Sequence, residues 1–435
     1  AEIEERRRNR VAMGMWSGEK RFGGEYLAEM AKLAGDKIGG SEAEQRRYFD
    51  QVLAKYPDCF WIEGCDPPTV KDRVISFRLR QGAKPVARQP IPLSPYDDLR
   101  VEFHIEEAIS EGKLRQIDTD REPLPEWSTP VFVVDQDAKG LLGRLVCSYG
   151  VLNSALEAPA FPSADPTRAF EMAAGRSHHT VVDAIWGYTQ FLLDEPTRKL
   201  LVICTRSGLY EWLRMPFGPA PAPAEMQSYV ASRFGSLRNE HGDEFVSPCM
   251  DDLKVSSWTF DQHVRDCSAL CAAARKGGLE FRLSKGQFNQ PSIKFWGCIL
   301  DGRGRTVEPK KVDQLEAWPE PDSAAALNSF LCFVNYLREY MSPEWIEYEQ
   351  VLRPFRKKGC DFGVWFKDPK YKEAFLKIRG HLSRDVVLHH VDFEAAARPE
   401  ESGRPLEMFV DASDYGWAGT LCQRLVPHGA PKVVA

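Results

Sequence analysis

The apolar positions of this chain alternate between short strand-like runs and longer stretches of helical period. The clearest helical stripe lies in DQHVRDCSALCAAARKGG. There Val264, Cys267, Cys271 and Ala274 share a face, and Gly277-Gly278 close the helix. PAPAEMQSYVASRFGSL repeats the pattern, with Met226, Val230 and Phe234 at spacing four and proline near its start. A third helix is predicted from about Asp97 to Gly112, with Val101, Ile105, Ala108 and Ile109 inward. Leu327, Phe330, Leu331, Val334 and Met341 keep the same period through DSAAALNSFLCFVNYLREYM. Strands are predicted in VISFRLR, PVFVV (130–134), GRLVCS (143–148), LEFRLSK and IKFWGCIL. HTVVDAIWGYTQFLL carries Asp183 at a strand end, and KLLVICT and GLYEWLRMPFG form a hairpin turning near Ser207-Gly208. Strands and helices mixed in this way predict an α+β chain.

Punctuation divides it. Residues 1–56 are rich in charge and glycine; they read as a poorly determined leader with a helix in SEAEQRRYFDQVLAKY. Prolines crowd residues 57–100 and predict extended chain. ARPEESGRP (397–405) reads as a linker, and LEMFVDASDYGWAGTLCQ opens a new β-rich unit. The 435 residues allow about two to four domains. With 43% hydrophobic residues the chain can bury a core, and no apolar run approaches a membrane span. The charged start AEIEERRRNR is not that of a signal peptide. Eleven cysteines without CxxC pairs suit a reducing compartment, not a disulfide framework or zinc site. A net charge of −6 weighs mildly against a nucleic-acid binder, although a local basic groove is compatible with it. The pairs His178-His179 and His389-His390 read as structural, because neighbours on a strand face opposite sides.

The chemistry concentrates in FVSPCMDDLKVSS, where Asp251 and Asp252 stand side by side between apolar flanks. A solvated turn accommodates such a pair but does not need strands on both sides. Asp183 ends another apolar strand, with one helix between the two sites long enough to cross back over a sheet. Three carboxylates brought together repel unless cations sit among them. Mg²⁺ takes oxygen ligands and keeps places for phosphate and water. Two such ions can clamp the attacking and leaving oxygens of a phosphoryl transfer.

Over roughly 380 of the 435 residues, the chain resembles the reverse transcriptase of gypsy-class long-terminal-repeat retrotransposons, part of a retrovirus-like pol polyprotein. The motifs occur in family order. STPVFVV and GRLVCSYGVLN resemble the fingers motifs, and VVDAIWGYTQ the first catalytic motif. GLYEWLRMPFG with PAPAEMQ resembles the segment leading into the template-facing helix, and CMDD the aromatic-x-Asp-Asp box. LEFRLSKGQF and FWG resemble the lysine motif and primer grip, VEPKKVDQLEAWPEP with SFLCFVNYLREYM the thumb, and FVDAS the opening of a tethered ribonuclease H domain.

The resemblance implies a right-hand polymerase: fingers about 57–160 and 191–218, palm about 161–190 and 219–300, thumb and connection about 301–395, then a linker and truncated RNase H-like start over 396–435. It implies that Asp183, Asp251 and the carbonyl of Ala184 ligate two Mg²⁺ ions, or Mn²⁺ in their place, with Asp252 beside them. Lys285 would protonate the leaving pyrophosphate, and Arg144 would meet the triphosphate. Tyr188 would exclude a 2′-hydroxyl, and Phe217 and Gln227 would border template and nucleotide. Tyr188 also reads as a core aromatic, and Lys285 and Arg144 as surface cations. Asp411 would be the remnant of the ribonuclease H site, from which no activity is expected.

The sequence departs from the family around the nucleotide pocket. Asp135 and Gln136 stand where lysines are usual, with only Lys139 nearby; Ser148 and Gly150 replace an Asp and an Arg; Pro221 replaces an Asn; and Cys249, after Pro248, replaces an aromatic residue. The expected reaction is RNA-directed DNA synthesis: deoxynucleotides added to a primer 3′-hydroxyl on an RNA or DNA template, with no membrane partner. The expected setting is intracellular, in a cytoplasmic particle with access to the nucleus. The alternatives are a catalytically weak or inactive nucleic-acid-binding relic of the same fold, and an RNA polymerase of related palm, against which Tyr188 argues.

Overall fold

The computed structural model describes residues 14–136, 140, 142–159, 161–162, 166–341, 344–357, 359–382, 386–413 and 416–434. Lys139 and Asp414 lie outside them. The chain forms two compact units, one of Ala1–Asp165 with Thr180–Gln290, the other of Pro166–His179 with Pro291–Ala435.

The first unit begins with α1 (Gly24–Ala34), α2 (Glu42–Tyr48) and β1 (Phe60–Trp61), followed by α3 (Pro95–Ser110) and β2 (Leu114–Gln116). Then come β3 (Thr129–Val134), β4 (Arg144–Cys147), β5 (His178–Asp183), β6 (Ile203–Thr205) and β7 (Gly208–Trp212). α4 (Ala222–Phe234), the hairpin β8 (Val246–Cys249) and β9 (Asp252–Ser257), α5 (Phe260–Gly277), β10 (Phe281–Arg282) and β11 (Gln287–Gln290) complete it. The two larger sheets of this unit among the described residues have the orders β2-β7-β6-β3-β4 and β8-β9-β5-β11. The second carries the aspartates. α4 packs on β8 and α5 on β9, through the residues whose period predicts it: Met226, Val230 and Phe234, then Val264, Cys267, Cys271 and Ala274, all buried in one core.

Helix ends follow local chemistry. Ser94 caps α3 by accepting from the Asp97 N–H at 3.1 Å, ahead of Pro95 at the first position. Gly278 closes α5 at φ 74°. Ile109 does not join the inward face of α3 but is exposed. VISFRLR forms a short ladder at Val74–Ile75 and an isolated bridge from Leu79 to Leu156.

The largest correction concerns residues 1–56. Tyr26, Met30, Ala34, Tyr48, Val52 and Leu53 are at most 1% exposed and belong to the same core as the helices above. The described part of this segment is therefore integral rather than a leader. Its signal was Tyr26, Met30 and Ala34 at spacing four, diluted by surrounding charge. A capping box between Ser41 and Glu44 starts α2, and Tyr48 Oη lies 3.0 Å from Thr180 Oγ1 on β5.

The second unit holds β12 (Ser292–Phe295), β13 (Cys298–Asp301), β14 (Gly304–Val307), α6 (Pro309–Glu316), α7 (Ala324–Leu337), α8 (Trp345–Leu352), α9 (Pro369–Arg379) and β15 (Val387–His389). The sheet order is β12-β13-β14-β15, antiparallel throughout. The palm is expected to run to about residue 300. Turns at Trp296-Gly297 and Gly302-Arg303 fold β12 and β13 onto β14, not onto the sheet of Asp183. Phe330 of α7 meets Phe375 of α9 at 4.7 Å between ring centroids. β16 (Leu406–Ser413), β17 (Gly416–Arg424) and β18 (Pro431–Val433) form a three-stranded sheet. Gln423 ties it to residue 392, accepting from the Asp392 N–H at 2.7 Å and donating to its carbonyl at 2.8 Å. Asp411 is exposed on β16, its carboxylate 2.9 Å from the Ala412 N–H. The linker contains a helical turn, Pro399–Ser402.

If the N-terminal segment is core, Met30→Ala should destabilise the protein by about 2–5 kcal/mol, the cost of a buried cavity. Urea denaturation checks it; an unchanged midpoint would return the segment to the status of a leader.

Candidate active site

The register of β8 and β9 pairs Cys249 with Asp252 and leaves Met250 and Asp251 as a two-residue turn. Met250 adopts φ 57°, a conformation glycine prefers at this turn position. Such backbone costs about 1–3 kcal/mol and persists only where its surroundings impose it. Gln227, buried on α4, supplies the imposition. Its Oε1 accepts from the Met250 N–H at 2.9 Å and its Nε2 donates to the Pro248 carbonyl at 3.4 Å. Pro248 lies on the edge strand of its sheet, where a missing ladder donor is tolerated.

Asp183 is the last residue of β5, which neighbours β9. The next residue fixes the approach: the Ala184 N–H donates to the Asp251 carbonyl at 2.8 Å. The chain then turns tightly. The Ala184 carbonyl accepts from the Gly187 N–H at 3.1 Å, and Trp186 takes φ 51°, its ring beneath the Lys113 ammonium at 3.7 Å. A Cβ on Gly187 would stand in ordinary van der Waals contact with the Asp251 Cβ at 3.4 Å, which places this turn directly against the hairpin. On the other flank, Lys285 Nζ stands 3.3 Å from Asp183 Oδ1.

The electrostatics show crowded carboxylates. Burial raises the pKa of Asp183, which Lys285 opposes and Asp251 reinforces. Burial, then Asp251 and Asp183, push Asp252 up to about 7. These are hard oxygen donors with an uncompensated tendency to repel, and the Ala184 carbonyl retains a second lone pair. In kind they fit a hard divalent cation. Among the described residues, however, no three His, Cys, Asp or Glu side chains are gathered as a ready metal shell. Lys285 holds the cationic place beside Asp183.

Next to the carboxylates lies a cavity of about 210 Å³ lined by Gly187, Tyr188, Phe217, Met226, Met250 and Asp251. Tyr188 and Phe217 meet edge to face at 4.7 Å, and the Arg144 guanidinium stacks over Phe217 at 5.0 Å. The structure therefore brings Asp183, Ala184, Asp251, Asp252 and Lys285 together, with Tyr188, Phe217 and Arg144 alongside. Gln227 is the exception: its amide is engaged under the hairpin and does not line the cavity. Asp411 belongs to the second unit.

Two departures acquire structural reasons. Asp135 Oδ1 accepts from Arg100 at 2.6 Å, and Arg100 is a buried guanidinium that also bonds the Leu142 carbonyl. An acidic residue at 135 thus answers a buried cation. Ser148 Oγ lies 3.2 Å from an Arg88 guanidinium nitrogen. His390 Nε2 lies 2.9 Å from the Asp301 carbonyl, consistent with a structural role.

A family model for reverse transcriptase (RNA-dependent DNA polymerase) matches residues 139–300, which contain every residue of the cluster. The retrovirus-related Pol polyprotein of transposon 297 from Drosophila melanogaster is 25% identical over 342 residues, covering 78% of this chain and 30% of that protein. The enzymatic polyprotein of cauliflower mosaic virus (strain NY8153) is 24% identical over 402 residues, covering 91% of this chain and 55% of its own length. The chain thus spans only 30% and 55% of these relatives. Among solved structures, the foamy viral protease-reverse transcriptase in complex with dsDNA superposes with a TM-score of 0.73 at 16% identity, over 94% of this chain and 80% of that one. The same viral protein in complex with an RNA/DNA hybrid gives 0.72 at 15% identity, over 94% and 51%. This likeness shows the fold, a right-hand polymerase.

The raised Asp252 sets a pH dependence. The folded state holds its proton up to about 7, whereas the ordinary carboxyl loses it near 3.8. Its contribution is present at low pH and is lost as pH rises through about 7. Asp252→Asn should therefore stabilise the metal-free protein at pH 8 by about 1–3 kcal/mol and leave it little changed at pH 4. Thermal unfolding at the two pH values checks it; equal shifts at both would contradict the raised pKa.

Proposed function

We propose that the chain is an RNA-directed DNA polymerase of gypsy-class retroelement type, transferring deoxynucleotides to a primer 3′-hydroxyl. The observation that carries this is the Ala184–Asp251 bond, which brings a strand-end carboxylate and a turn carboxylate together beside a cavity walled by Tyr188 and Phe217. In this reading Asp183, Asp251 and the Ala184 carbonyl hold Mg²⁺, with Asp252 adjacent. Bound cations would neutralise the cluster and supply the charge that stabilises attacking and leaving oxygens.

The chain's own groups do the rest. Tyr188, half-buried against Phe217, closes the space a ribose 2′-hydroxyl would need. Arg144 is pre-oriented by stacking on Phe217 and meets the triphosphate. Lys285 shifts from Asp183 once the carboxylate is neutralised, and its ammonium then protonates the leaving pyrophosphate, a contribution of about 10²–10⁴-fold. A primed RNA or DNA template is the partner; the viral relatives' complexes with dsDNA and RNA/DNA hybrid support that reading. An intracellular setting accords with the eleven cysteines being thiols.

The test is DNA-primer extension on an RNA template with Mg²⁺. The wild-type protein should extend, and Asp183→Asn and Asp251→Asn should each lose at least about 10²-fold, the scale of losing a key electrostatic contact. A wild-type protein that binds the hybrid without extending it would favour the relic.

Sugar choice provides a separate check. Tyr188→Ala should increase ribonucleotide incorporation relative to deoxynucleotide. Unchanged discrimination in an active variant would remove Tyr188 from that role.

A further inference from the structure

Gln190 is completely buried, yet its side chain is fully engaged. Nε2 donates to the Ile185 carbonyl at 2.7 Å and to the Glu280 carbonyl at 2.9 Å, and Oε1 accepts from the Glu280 N–H at 3.0 Å. A primary amide offers two donors and an acceptor, and all three are spent here on two backbone segments. One is the turn that follows Asp183. The other is the start of the strand and 3₁₀ turn that carry Lys285.

Backbone contacts join the same two segments. The Ile185 N–H donates to the Glu280 carbonyl at 3.1 Å, and Ala184 bridges Phe281. Glu280 is in turn gripped by Arg21, whose guanidinium reaches both carboxylate oxygens at 3.0 and 2.5 Å. The side chains of this pair are only 11% and 12% exposed. The integral N-terminal segment thus braces the far side of the same clamp. Asp183 lies two residues before Ile185, and Lys285 five after Glu280.

We propose that Gln190 is a positioning residue that sets the spacing between Lys285 and Asp183, braced through Glu280 by Arg21. The proposal rests on the polymerase reading. Gln190 touches neither substrate nor cation. It acts by fixing the backbone on which the carboxylate and the ammonium stand 3.3 Å apart. Loss of the amide should let the two segments separate, so that Lys285 no longer arrives where the leaving group departs.

The experiment uses the full chain with Gln190→Met, which keeps length and removes the hydrogen bonds, and Gln190→Glu, which keeps an acceptor and loses the donors. In primer extension, Gln190→Met should lower kcat by about 10²-fold, the cost of misplacing a catalytic group by about an ångström. KM for deoxynucleotide should stay within about threefold. In a Lys285→Ala background the same substitution should have little further effect, because the group it positions is gone. A general loss of packing would instead lower activity equally in both backgrounds, and that additivity would overturn the proposal. So would unaltered kcat in a folded Gln190→Met protein, or failure of both variants to fold. Asp183→Asn serves as the control for the reading beneath it. If wild type and Asp183→Asn are equally active or equally inert, the polymerase reading fails. The positioning claim is then judged by hydrogen exchange alone. Amides of 184–187 and 280–285 should open together in Gln190→Met while α5 stays protected; an unchanged pattern would sink it.

Discussion

Like charges are held together here by a backbone hydrogen bond. The Ala184 N–H reaches the Asp251 carbonyl, and this contact, rather than any attraction between side chains, places the carboxylates of β5 and of the β8–β9 turn side by side. Main-chain groups can do this because sheet order and turn geometry are stabilised elsewhere, by the apolar faces of α4 and α5. The core supplies free energy that the site spends in electrostatic repulsion and in a non-glycine residue at positive φ. Burial of the carboxyl, reinforced by repulsion from Asp251 and Asp183, is why Asp252 retains its proton to about 7.

Buried amides recur as the means of imposing that arrangement. Gln227 satisfies the backbone of the strained turn at Met250, and Gln190 joins the turn after Asp183 to the strand leading to Lys285. A carboxylate in either position would add charge to a crowded site, and an apolar side chain would leave backbone groups unpaired in the interior at about 1–3 kcal/mol each. Neutral side chains that both donate and accept fit this environment. They hold the carboxylates without contributing to the field the carboxylates create.

The departures around the nucleotide side take a different meaning in three dimensions. As a string, Asp135 is a basic residue lost. In the fold it faces Arg100, a guanidinium whose burial requires acceptors and which finds them in Asp97, Asp135 and the Leu142 carbonyl. The exposed face of Asp135 makes the pair weak in stability terms, but it answers a cation that would otherwise lack a second acidic partner.

Much was legible in the sequence because it is periodic or local. The stripes of Met226, Val230 and Phe234 and of Val264, Cys267 and Cys271 declare two helices, and Gly278 declares where one stops. The strand end at Asp183 and the Asp251-Asp252 turn are visible as carboxylates interrupting apolar runs, and the resemblance of ordered motifs pointed to the right-hand polymerase fold that the structural likeness shows. Tertiary structure decided what depends on distant partners. Tyr26, Met30 and Ala34 are core because their helix packs on the 3₁₀ turn Leu283–Lys285 and Tyr26 Oη donates to the Phe60 carbonyl at 2.6 Å, partners far away in sequence. The strands after residue 290 leave the sheet of Asp183 because two turns pair them with one another. Gln190 reads as a single polar residue in YTQFLL, since nothing nearby in sequence shows that its partners are the backbone at residue 280, ninety positions away. Sequence records what each residue can donate, accept or bury; folding alone determines which groups are present to meet it.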